Sequence, residues 1–72
     1  MRVKRLSKKL WNNRHDTVCS SITLPDDSYI VMRVLGYSVV LTHYPSTQHT
    51  EFYANCVKNP IDTISEFIRY FV

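Results

Sequence analysis

Residues 29–44 read YIVMRVLGYSVVLTHY, and this stretch decides the fold. It is dense in β-branched and aromatic residues, the composition of half-buried strands. Its only interruption is Gly36, the single glycine of the chain and the one residue that enters positive φ without strain. A glycine between two apolar runs is the corner of a tight hairpin. The run Tyr29 to Leu35 then pairs antiparallel with the run ending at Tyr44. The turn has two readings, Leu35-Gly36 or Gly36-Tyr37. They differ by two residues in register, so both place Ile30, Met32 and Val34 on one face with Val39 and Leu41.

Toward the N-terminus, Pro25-Asp26-Asp27-Ser28 is a turn sequence: proline presets φ, and aspartate side chains bond to backbone two residues on. Before it, Val18, Ser20, Ile22 and Leu24 alternate with Cys19, Ser21 and Thr23, a first strand beginning at Thr17. Toward the C-terminus, Pro45 to His49 is a polar loop. Thr50 to Val57 reads as a fourth strand with Phe52, Ala54 and Cys56 on one side. Asn59 then suits an N-cap, Pro60 the first helical position and Asp62 the first turn. Ile61, Ile64, Ile68 and Phe71, widened by Phe67, form the apolar stripe, with Asp62, Ser65, Glu66 and Arg69 facing away. At the other end, Val3, Leu6 and Leu10 recur at i, i+3 and i+7, with Lys4, Arg5, Lys8 and Lys9 opposite them. That is an amphipathic helix, closed by Asn12 and Asn13.

The expected architecture is one small α+β domain. An antiparallel β-meander of three to four strands is packed by a C-terminal amphipathic helix. A basic helical segment, residues 1–16, precedes the body, residues 17–72. Connections this short favour sequential antiparallel neighbours. A hydrophobic content of 44% with 12% aromatic residues excludes intrinsic disorder. With 72 residues, a chain hides only about 60% of its unfolded surface, so a partner or a second copy adds to its stability.

Charge is distributed unevenly. Residues 1–16 carry six cations against Asp16, a net +5. Residues 17–72 carry three cations against five acids, a net −2. A basic segment on a mildly acidic body points to a negatively charged partner. No run approaches the roughly 18 apolar residues of a membrane span, and no apolar stretch follows the N-terminal cations as in a secretory signal. Cys19 and Cys56 form no C-x-x-C pair; reduced thiols in a cytoplasmic protein, or a bridge between strands, both fit their spacing.

Catalytic and cofactor chemistry finds little support. One glycine cannot build a phosphate-cradling loop. His15, Asp16 and Cys19, or His43 and His49, match no zinc spacing. Ser46 with His49, or either cysteine with a histidine, lacks an oxyanion-hole glycine. Asp26 and Asp27 are neighbours in a turn, where side chains point apart into solvent. No catalytic residue, metal or cofactor is expected.

Two surfaces remain. Arg2, Lys4, Arg5, Lys8, Lys9 and Arg14, with Trp11 as a stacking group, suit nucleic acid or an acidic partner; the same charges also suit the solvated side of a docked helix, and Trp11 the core. Tyr29, Val31, Arg33, Val40 and Tyr53 suit a protein interface on the uncovered sheet face. The expected function is a small non-enzymatic binding protein, a regulatory or inhibitory factor of the kind that phages and mobile elements encode. It would occlude a protein or nucleoprotein surface. Direct DNA or RNA binding through the basic arm is the alternative; a homodimer is compatible, and a membrane partner ranks last because the apolar side of the arm is narrow.

Overall fold

A computed structural model describes residues 2–15, 19–45 and 49–72. Asp16, Thr17 and Val18, read as the end of the basic segment and the start of the first strand, lie outside the described residues, as do Ser46, Thr47 and Gln48 of the polar loop. The elements run α1 (Arg2–Asn12), β1 (Cys19–Thr23), β2 (Tyr29–Leu35), β3 (Ser38–Tyr44), β4 (Thr50–Tyr53) and α2 (Pro60–Ile68). Short 3-10 turns occupy Asn13–His15 and Cys56–Lys58. The four strands form one antiparallel sheet in the order β1-β2-β3-β4. Both helices cover the same sheet face and pack against each other. No helix among the described residues is long and apolar enough to cross a membrane.

The β2–β3 register settles the turn. Leu35 pairs with Ser38, so the loop is Gly36-Tyr37, and Gly36 sits at φ +63. Ile30, Met32 and Val34 share a face with Val39, Leu41 and His43, and that face is the core. Ile22 and Leu24 enter it from β1 and the adjoining turn, Val3 and Leu10 from α1, and Ile64, Phe67 and Ile68 from α2.

Two small side chains set the helix crossing. Ser7 and Ser65 are both buried, and their hydroxyls stand 2.7 Å apart. Ser7 Oγ donates to the Val3 carbonyl at 2.8 Å, which commits its one proton, so the Ser65 hydroxyl is the donor of the pair. Ser65 therefore does not face away with Glu66 and Arg69. A polar residue points inward here because the neighbouring helix supplies its partner, and a buried hydroxyl with a partner carries no desolvation debt. The end of α1 is tied down by side chains as well. Ser20 Oγ donates to the Leu10 carbonyl at 2.9 Å, and Arg14 Nη1 donates to the Trp11 carbonyl at 2.8 Å. Both satisfy carbonyls that a helix end otherwise leaves open.

The fourth strand is shorter than its sequence suggests. It ends at Tyr53, and Asn55 then takes the left-handed conformation at φ +55, which asparagine tolerates. That turn breaks the alternation. Tyr53 pairs with Val39 and lies on the core side, its ring edge-on to Phe67 at 6.4 Å. Phe52 pairs with Val40 on the opposite face and is exposed. Cys56 is buried all the same, carried inward by the 3-10 turn rather than by strand parity. At the start of α2, Asn59 holds the N-cap position without a side-chain capping bond; Pro60 and Asp62 complete that end as expected.

The cysteines form no disulfide: Cys19 is exposed and Cys56 buried. Burial pushes the Cys56 thiol above its ordinary range, opposed by a hydrogen bond involving Thr63, so its reactive thiolate is disfavoured. A thiol reagent applied to the native protein is therefore expected to label Cys19 rapidly and Cys56 only after unfolding. Mass spectrometry of the time course reads both sites, and equal rates would contradict the placement of Cys56.

Candidate functional site

The uncovered sheet face is ordered in rows. Across the four strands the register aligns Cys19, Arg33, Val40 and Phe52 in one row, and Ser21, Val31, Thr42 and Thr50 in the next. A third row holds Thr23, Tyr29 and Tyr44, with the two tyrosine rings stacked at 5.3 Å. Arg33 is the one charged side chain on the described strands of this face, and it enters no salt bridge among the described residues. Half-buried Val40 stands beside it and Phe52 (60% exposed) one strand further along the row, while Leu35 (49%) and the turn residue Tyr37 (73%) lie toward the hairpin end. At the opposite end Tyr29 is 41% exposed.

Of the five residues expected on this face, Tyr29, Val31, Arg33 and Val40 are there. Tyr53 is not, because strand parity turns it to the helices. Burial also raises its phenol above the ordinary range, with the Glu51 carboxylate adding to the effect. Phe52 takes the place assigned to Tyr53. Its neighbours Ala54 and Cys56 suggested an inward-facing run, but the pairing of Tyr53 with Val39 sets the parity, and the turn at Asn55 frees Cys56 from it.

The basic residues lie on the other side of the molecule. Lys4, Arg5, Lys8 and Lys9 are exposed on α1, away from the side that buries Val3, Ser7 and Leu10. The sheet face and the basic face are thus on opposite sides of a two-layer molecule, and one flat partner cannot cover both. Arg2 begins the same helix. Arg14 and Trp11 are engaged internally. The guanidinium lies 3.9 Å from the centroid of the Trp11 ring, and the ring packs against the core.

A third cluster went unread in the sequence. Buried His43 places Nε2 3.0 Å from Ser28 Oγ, and Ser28 Oγ and Ser28 N–H both reach Asp26 Oδ1. These two bonds from Ser28 hold the Asp26 carboxyl below its ordinary range. An ionised carboxylate only accepts, so the Ser28 proton goes to Asp26 and His43 Nε2–H donates to Ser28. The direction is wrong for nucleophilic catalysis, where histidine must take the serine proton. The cluster instead ties the β1–β2 turn to β3, under the ring of Phe71 stacked 3.9 Å from His43. The signal that locates it is the hairpin register, since Ile30 pairs with His43. His49, expected in a solvated loop, is half-buried against Phe67, Tyr70 and Phe71, with Nε2 2.9 Å from Glu51 Oε2. No group of three histidines, cysteines or carboxylates among the described residues stands close enough to hold a metal.

A folded-state pKa below the unfolded value adds stability that is complete above the ordinary carboxylate range and disappears as pH falls through the folded value. Asp26 follows this sign. Melting temperature is expected to drop as the pH is lowered below about 4, and to drop less steeply in Asp26→Asn; an unchanged acid limb in that variant would contradict the assignment.

Compared with protein-family models, with curated proteins and with solved structures, the chain matches none. The class it defines is structural: a small two-layer α+β domain with a bare sheet face on one side and a basic helix on the other.

Proposed function

We propose that this chain is a small non-enzymatic binding protein, a regulatory or inhibitory factor that docks through its open sheet face and occludes the surface of a second protein. The observation that carries the reading is Arg33, the one charged side chain on the described strands of the open face, which also carries exposed Phe52 and Leu35, with exposed Tyr37 at the adjoining turn. Binding hot spots favour arginine and aromatic residues, a charged anchor on a face whose apolar groups exclude water.

The same composition selects the partner. On docking, Arg33 loses water and needs a carboxylate opposite it. A second copy presents an identical face, and that face offers no acid among its described residues. The occupant is therefore a different protein, with an acidic residue set in an apolar surround. Docking would also support a core of this limited size. The test is binding by Arg33→Glu, which reverses the anchor charge without touching the core. Loss of the partner with the fold intact supports the reading, and unchanged binding, or assembly with a second copy alone, removes it.

A further inference from the structure

The basic face holds more than the N-terminal run. Lys58, which follows Lys9 by most of the chain length, joins Lys4 and Lys8 around an open cleft of about 320 Å³, completed by Asn59, Pro60, Ile61 and Asp62. Arg5 and Lys9 flank it on the exposed side of α1. None of these five cations enters a salt bridge among the described residues, and Asp62 is the one carboxylate of the cleft. The start of α2 supplies no anion site of its own, because Pro60 lacks an N–H and Asp62 stands in the first turn.

A second observation is that these charges work against the helix that carries them. Lys4 and Lys8, and Arg5 and Lys9, are like-charge pairs at i, i+4, which destabilise a helix. The first turn of α1 has no acid and opens with cations, the wrong sign for the helix dipole. Two like-charge pairs and a first turn of the wrong sign thus stand without a compensating ion pair among the described residues, although Lys9 itself suits the last turn. Residues that violate local preference without compensation mark sites kept for function.

We infer that this face binds the phosphate backbone of nucleic acid, with Lys4, Lys8 and Lys58 converging on the cleft and Arg5 and Lys9 following the strand beside it. Lys4 and Lys8 lie about 6 Å apart along the helix axis, a spacing that lets each meet a separate phosphate. Contacts to the backbone alone read no base sequence. The inference does not rest on the sheet-face reading, since it uses the opposite side of the molecule. Were both correct, the protein would bridge a protein and a nucleic acid.

The experiment is a titration of labelled 20-nucleotide single strands and duplexes, DNA and RNA, with the full chain across a salt series. Engaging about four phosphates of a duplex weakens affinity roughly 100-fold between 50 and 200 mM salt. Lys58→Glu is expected to weaken binding as strongly as Lys8→Glu, while Arg33→Glu, on the opposite face, weakens it much less. Lys4→Glu carries an added signature. It places an acid in the first turn of the helix, four residues before Lys8 and in the favourable order for an ion pair. Its melting temperature should therefore rise by a few degrees while binding falls. Equal binding by Lys58→Glu and the parent chain would overturn the cleft. No salt-sensitive binding to any of the four probes, or binding only to anionic lipid vesicles included as a control, would overturn the inference as a whole.

Discussion

Phe67→Ala is expected to remove a large share of the protein's folding stability. Phe67 is fully buried, and its ring stands 5.3 Å from Phe71, 5.7 Å from His49 and 6.4 Å from Tyr53. It joins α2 to the edge of the sheet, at the centre of this aromatic group. Truncating a buried phenylalanine costs about 3–5 kcal/mol, whereas a chain of this length has a total stability of roughly 4–11 kcal/mol. One substitution thus removes a large share of the whole. Phe52→Ala is the informative control, because Phe52 is solvent-exposed and surface changes stay within about 0.5 kcal/mol. Urea denaturation of the two variants measures both. Similar losses would contradict the parity of β4, and with it the membership of the open face.

Arg33→Glu carries the second large effect, on binding rather than folding. Arg33 is exposed in the middle of β2, flanked by Cys19 on β1 and Val40 on β3, so reversing its charge leaves the core untouched. Hot-spot arginines contribute about 2 kcal/mol or more when truncated, near 30-fold in affinity. Charge reversal adds repulsion from the carboxylate the partner must supply, so loss beyond 30-fold is expected. Phe52→Ala should lose less, and Lys4→Glu and Lys8→Glu, on the far face, should leave protein binding intact. Equilibrium titration with the captured partner reads these differences; equal weakening by all four variants would point to nonspecific charge and against a defined face.

Most of the fold is legible in the sequence, for identifiable reasons. The pairing of 29–44 follows from period-two burial around one glycine, and face assignment survives the ambiguity at Gly36 because the alternative registers differ by two. The apolar stripe and start signals of α2 mark it at Pro60. What cannot be read depends on contacts between elements distant in the chain. Ser65 looks like a solvent residue until Ser7, 58 positions earlier, supplies its partner. Phe52 and Tyr53 are adjacent, and either could face inward; the pairing of Tyr53 with Val39 decides between them, and the left-handed residue at Asn55 frees Cys56 from that parity. His43 reads as the end of a strand, but the β1–β2 turn brings Ser28 to it. The basic residues are visible as a run. The contribution of Lys58 is not, since only the packing of α1 against α2 brings it to Lys4 and Lys8.

The most direct test of the central claim is site-specific photocrosslinking in extract of the source cell. Benzoylphenylalanine is placed at position 52 on the open sheet face and, for comparison, at position 66 on the exposed side of α2. The account predicts a discrete adduct with one protein from position 52, absent from position 66 and abolished by Arg33→Glu. No adduct from position 52, or the same adduct from both positions regardless of Arg33, would contradict it.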